Sequence, residues 1–226
     1  MISNYSGQLR FDSLFFDLDG TLVDSLPGIA YSLEQAFKTC GRVMVKPISR
    51  TMIGPPVPTI ISQLLESTDA SAIEELVSAF RASYDSDGWM KSEVYPGVKD
   101  TLQSLADAGA RLYVFTNKPV ENALKITHLW NLHKLLHEVR SRDSRVPPYS
   151  SKTEMLHDMI ERHQIDQHRT AVVGDSHEDS NAAKMLNKQF FFASYGYGDV
   201  ELMALDQMTV IVPKFGDLLG HCLGVA

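Results

Sequence analysis

Short apolar runs recur along most of this chain, spaced so that one amphipathic helix fits between successive runs, and the pattern breaks over a single block near the start. Residues 14–16, 112–115, 138–140, 171–173, 190–193 and 210–212 read as strands. Between them, residues 98–108, 120–130, 152–162 and 179–186 carry apolar side chains at helical spacing. Strand–helix alternation of this kind predicts an α/β fold with a doubly wound parallel sheet. Residues 26–92 differ. Ile29, Leu33, Ala36 and Phe37, then Ile60, Ile61, Leu64 and Leu65, then Ile73, Leu76, Val77 and Phe80 follow helical intervals only. An all-helical block is therefore expected after the first strand, with the chain re-entering the core at Tyr95-Pro96-Gly97. The expected organisation is a core from residues 1–24 and 95–226 around a helical domain at 25–94.

Composition narrows the possibilities. A chain of 226 residues, 44% hydrophobic, can bury a sizeable core and still carry an insertion. With 21 basic against 28 acidic residues, a net charge of -7, it lacks the clustered cations that a nucleic-acid surface needs. No stretch approaches the roughly 20 apolar residues of a membrane span. Met1-Ile2-Ser3-Asn4-Tyr5 has neither the basic nor the apolar segment of a secretory signal. Cys40 and Cys222, far apart, give no disulfide framework. A cytoplasmic protein with no nucleic-acid or membrane partner is expected.

The candidate chemistry sits where predicted strands end. Residues 14–25 read Leu-Phe-Phe-Asp-Leu-Asp-Gly-Thr-Leu-Val-Asp-Ser, placing Asp17 and Asp19 two apart after an apolar run and before Gly20. Side chains two apart on an extended chain point the same way, so both carboxylates would face the strand's carboxyl end, where open α/β sheets bind ligands. An Asp-Gly hairpin turn is the alternative, and it would leave Asp17 at the end of a buried strand without a partner. Two further strands end in polar clusters: Thr116-Asn117-Lys118, and Gly174-Asp175-Ser176-His177-Glu178-Asp179. Singly, Asn117 can cap a helix, Asp175 and Asp179 can belong to an acidic turn and cap, and Lys152 can be a solvated lysine at a helix start. A cation there would oppose the helix dipole, which hints at a purpose. His133 and His137 are four apart, but the strand predicted at 138–140 denies them a shared helix.

Together these segments resemble a known family. Residues 15–25 resemble the first motif of the haloacid dehalogenase superfamily of phosphohydrolases, and Thr21-Leu22-Val23-Asp24-Ser25 resembles its phosphoglycolate phosphatase-like branch. Residues 111–118 resemble the second motif, Lys152 stands where the third-motif lysine belongs, and residues 170–179 resemble the fourth. The loop ahead of Lys152 departs from the family pattern, carrying Arg142, Arg145 and Pro147-Pro148-Tyr149.

The resemblance implies a Rossmann-like core with a helical cap, a monomer or homodimer, and a Mg²⁺-dependent phosphatase acting on a small phosphorylated metabolite, phosphoglycolate being the best named guess. A phosphate monoester repels an attacking anion, so a carboxylate nucleophile needs a cation and fixed donors around the phosphoryl group. By resemblance Asp17 is the nucleophile and forms an aspartyl phosphate, and Asp19 is the general acid and then the base. Asp17, the Asp19 carbonyl and Asp175 would hold magnesium, with Asp179 behind them or bridging through water. Thr116 and Asn117 would donate to the phosphoryl oxygens, Lys152 would add positive charge, and Gly20 would let the backbone turn closely around the phosphate. Arg50, in the cap segment 50–56, would pair with a substrate carboxylate. Two rivals stand beside this reading: a phosphotransferase of the β-phosphoglucomutase type, disfavoured by Thr21, and a catalytically silent binding protein, disfavoured by the intact Asp17, Asp19 and Asp175.

Overall fold

In the computed structural model the apolar runs become strands of one parallel sheet. The structure describes residues 8–199 and 206–224; the amino-terminal segment Met1–Tyr5 read above lies outside them. In chain order the elements are β1 (Ser13–Phe16), β2 (Val23–Asp24), α1 (Leu26–Thr39), α2 (Val57–Leu65), α3 (Ala70–Ser86), β3 (Glu93–Val94), α4 (Val98–Asp107), β4 (Arg111–Thr116), α5 (Val120–Leu129), β5 (Glu138–Ser141), α6 (Lys152–Arg162), β6 (Thr170–Gly174), α7 (His177–Met185), β7 (Gln189–Ala193), β8 (Thr209–Val212) and α8 (Leu218–Cys222). They divide into two compact units, Met1–Val23 with Val94–Ala226, and Asp24–Glu93. Among the described residues no helix is long and apolar enough to cross a membrane.

The larger unit is a six-stranded sheet in the order β5-β4-β1-β6-β7-β8, with every neighbouring pair parallel. Because helices cover both faces, the central strands are apolar at successive positions instead of alternating. Leu14, Phe15 and Phe16 of β1, like Ala171, Val172 and Val173 of β6, are fully or almost fully buried. Phe15 stacks on Tyr113 at 4.8 Å between ring centroids and packs with Phe115, Met155, Met159 and Phe192 beneath α6 and α7.

This order decides where a ligand can sit. From β1 the chain builds outward through β4 and β5, then returns to lay β6 on the other side of β1 and builds outward again through β7 and β8. The direction of winding reverses between β1 and β6, the point where doubly wound sheets open a crevice at the strands' carboxyl ends. Asp17 follows β1 and Asp175 follows β6.

The Asp24–Glu93 unit is built on α1 packed against α3, with α2 also against α3. Its core holds Leu33, Phe37, Ile60, Ile61, Leu64, Leu76 and Phe80, all from the helical sets seen in the sequence. Asp69 caps α3, its carboxylate accepting from the Ser71 amide at 3.0 Å. Gly28 of α1 faces the turn at Gly88 so closely that a Cβ on either residue would collide with the other segment, which accounts for glycine at both positions. The strands β2 and β3 pair in a separate two-stranded sheet. Neither was expected from the sequence, since two residues are too few to show a period.

Candidate active site

The β1–β6 ladder runs one residue past β1: the Asp17 amide donates to the Val173 carbonyl at 2.9 Å, which carries Asp17 alongside Gly174-Asp175. Asp17, Asp175 and Asp179 are all buried, and one carboxylate oxygen from each lies within 4.8 Å of the others. The cation among them is Lys152, with Nζ 2.8 Å from Asp17 Oδ1 and 2.6 Å from Asp179 Oδ1. Lys152 is the first residue of α6, which Ser151 caps by accepting from the Glu154 amide at 3.1 Å. The misfit between its charge and the helix dipole is resolved because the ammonium turns into the acids. Asp179 sits in the first turn of α7 as half of a capping box with Ser176, its Oδ2 accepting from the Ser176 amide at 3.1 Å and hydroxyl at 2.6 Å. Helix α7 thus starts at His177, two residues earlier than the apolar pattern suggested.

Burying three acids with one lysine leaves the group short of positive charge. Burial, reinforced by repulsion from Asp179 and Asp175 and only partly offset by Lys152, pushes the Asp17 carboxyl up to about 8. Burial and then Asp179 push Asp175 up to about 7. Burial works against the charge of Lys152 as well, but Asp17 and Asp179 outweigh it and its pKa is raised. Asp17 Oδ1, despite its 2.8 Å approach to the ammonium, has no aligned hydrogen-bond donor. An all-carboxylate donor set with too little positive charge fits a hard divalent cation. Of the three acids Asp179 has the least to give, because Lys152 and Ser176 already occupy most of its lone pairs.

Both acids have folded-state pKa values raised above the unfolded value, so the cation-free fold gains most from them at low pH and loses that contribution as pH rises through about 7 to 8. A cation that binds the ionised acids restores it. A divalent cation is therefore expected to raise Tm clearly more at about pH 8.5 than at about pH 5.5. Equal shifts at the two pH values would contradict a metal held by these carboxylates.

The second carboxylate of the pair has different company. Asp19 meets Lys118, whose Nζ lies 3.0 Å from both Oδ1 and Oδ2. Thr116 is buried at the end of β4 and its Oγ1 accepts from the Lys118 amide at 3.2 Å. Asn117 is exposed, and its side-chain amide donates to Glu178 at 2.8 Å. Gly20 has φ +81°, and a Cβ there would strike the Asp175 carboxylate and the Tyr197 ring.

Residues 194–198 close on this same acid. The Tyr197 amide donates to Asp175 Oδ2 at 2.6 Å, Gly196 packs against the Asp175 side chain and the Gly20 carbonyl, and the Tyr195 hydroxyl donates to the Thr21 carbonyl at 2.8 Å. Lys118 and this loop were the residues sequence reasoning passed over. Arg50 belongs to the Asp24–Glu93 unit, half exposed, its guanidinium 3.9 Å from Asp24 Oδ2 of the same unit. His133 lies on a short 3-10 turn, where it stacks on His128 at 3.8 Å, and His137 precedes β5, so the two share no helix.

The chain is 31% identical over 221 residues to a phosphoglycolate phosphatase of Vibrio vulnificus, an alignment spanning 94% of this chain and 96% of that protein. It is 30% identical over 217 residues to a phosphoglycolate phosphatase of Aliivibrio fischeri, spanning 90% and 93%. Its fold matches a haloacid dehalogenase-like family hydrolase of Streptococcus pneumoniae with a TM-score of 0.81, covering 94% of this chain and 98% of the other at 24% identity. The stretch from β1 to the end of β7, residues 14–193, fits the haloacid dehalogenase-like hydrolase model, and the chain belongs to that family.

Proposed function

We propose that this protein is a Mg²⁺-dependent phosphatase that hydrolyses a small phosphorylated metabolite, with phosphoglycolate as its substrate, through an aspartyl phosphate on Asp17. The observation that carries the reading is the Asp17–Lys152–Asp175 cluster at the switch point of the sheet. The relatives named phosphoglycolate phosphatase support the choice of substrate.

In this reading Asp17 attacks phosphorus as the ester P–O bond breaks, and Asp19 protonates the departing oxygen. Asp19 then takes a proton from the water that attacks the aspartyl phosphate, which releases inorganic phosphate and restores Asp17. Lys152 and Thr116 hold the phosphoryl oxygens, and Asn117 joins them by leaving Glu178. Asp179 acts through Lys152, whose ammonium it holds at 2.6 Å. Asp17, Asp175 and the Asp19 carbonyl would hold Mg²⁺, which would offset the negative charge that otherwise keeps nucleophile and phosphate apart.

Inorganic phosphate release from a panel of carboxylated and sugar phosphates with Mg²⁺ tests this. Phosphate should be released, fastest from phosphoglycolate. Interconversion of sugar phosphates without release would identify a mutase, and no reaction at all would identify a binding protein.

A phosphoryl-transfer core cannot by itself distinguish leaving groups, so we assign substrate choice to the helical unit and to Arg50 within it. Arg50→Ala should lower kcat/KM for phosphoglycolate roughly ten- to hundredfold, the range for a hydrogen bond between charged groups, while sparing an uncharged aryl phosphate. Equal losses on the two esters would show that Arg50 supports its own unit instead of reading the carboxylate.

A further inference from the structure

Each carboxylate of Asp17-Leu18-Asp19 has its own buried lysine. Lys152 serves Asp17 at 2.8 Å. Lys118, its side chain only 5% exposed, reaches both oxygens of Asp19 at 3.0 Å. Lysine is almost never this buried unless paired. The backbone of Lys118 is anchored on both sides: its amide donates to Thr116 Oγ1 at 3.2 Å, and its carbonyl accepts from the Ser141 hydroxyl of β5. Pro119, which follows directly, fixes the chain further. By contrast the Asp19 side chain is 24% exposed.

A carboxylate that must deliver a proton to one oxygen of a bound ester needs its plane and distance fixed, and one rotating on its own χ angles spends little time in the productive pose. From this arrangement we propose that Lys118 is the positioning residue for Asp19. It holds the carboxylate by both oxygens in the resting site, and with three donors it keeps one of them while the other turns to the leaving oxygen. This rests on the phosphatase reading above. In the step concerned, Asp19 has first taken a proton from solvent on the oxygen released by Lys118; the bond from an Asp17 oxygen to phosphorus forms, the ester P–O bond breaks, and that proton moves to the departing oxygen, while Lys118 touches neither phosphorus nor ester.

The test uses the full-length protein with Mg²⁺ and two esters, phosphoglycolate, whose alkoxide leaves poorly, and 4-nitrophenyl phosphate, whose phenolate leaves unaided. Lys118→Met should cut kcat on phosphoglycolate roughly ten- to hundredfold and on the aryl ester by less than about threefold, since only the former needs the proton. KM should change little on either. Lys118→Arg, which can grip the carboxylate by a fork, should recover part of the loss on phosphoglycolate and guards against a Met variant that folds poorly. Lys118→Met placed on Asp19→Asn should add little further loss, because the group being positioned is gone. Equal losses on both esters, a KM rise on both, or full additivity with Asp19→Asn would overturn the proposal while leaving the phosphatase reading in place. A wild type inactive on both esters would overturn both.

Discussion

Replacing Asp17 with asparagine is expected to abolish turnover, by about a thousandfold or more, while the fold survives. The amide is nearly isosteric with the carboxylate but cannot form an acyl phosphate, and removal of one member of a catalytic unit disables the whole unit. Stability should not fall, because Asp17 is a buried acid whose ionisation burial and its acidic neighbours oppose. An amide in its place removes one of three crowded charges and leaves Lys152 with Asp179. Far-UV dichroism and a thermal melt separate this outcome from unfolding. Residual phosphatase activity within tenfold of wild type would remove Asp17 from the role of nucleophile.

Removing the lysine instead of the acid should have the opposite balance of effects. Lys152→Met leaves Asp17, Asp175 and Asp179 buried together without the ammonium that now sits 2.8 Å and 2.6 Å from two of them. Breaking a buried pair by deleting one partner costs about 3–5 kcal/mol, because the other charge is left uncompensated. That cost has a pH signature. When protonated, Asp17 and Asp175 need no counter-charge, so the loss of Tm should be smaller at about pH 5 than at about pH 9, above the values of about 7 and about 8 to which burial already lifts Asp175 and Asp17. Mg²⁺ should recover part of the loss at the higher pH. A Tm deficit independent of pH would mean that Lys152 supports the fold by packing, its charge having no part in it.

The sheet was legible because parallel strands covered on both faces must be apolar at every position, and such runs stand out even when they are three or four residues long. The helices of the Asp24–Glu93 unit were legible for the complementary reason, a single buried stripe on each. The site acids were legible because a doubly wound sheet puts strand ends where ligands bind, so acids just after apolar runs had a defined place to meet. What escaped the sequence were partnerships. Lys118 stood in plain view beside Thr116 and Asn117, but its partner Asp19 is 99 residues away along the chain and only the β1–β4 pairing brings them together. Tyr197 likewise gives no local sign that its amide serves Asp175. The apolar pattern starts α7 two residues late because its first turn, His177-Glu178-Asp179, carries no apolar side chain; the Ser176-x-x-Asp179 capping box marks the true start.

The central claim is that Asp17 carries the phosphoryl group during turnover. The most direct measurement is an acid quench of the protein turning over phosphoglycolate with Mg²⁺, followed by peptide mass mapping. The account predicts a phosphoryl group on the peptide holding Asp17, absent when Mg²⁺ is removed by chelator and absent in Asp17→Asn. Phosphorylation at another residue, or rapid phosphate release with no phosphopeptide under conditions that preserve acyl phosphates, would contradict it.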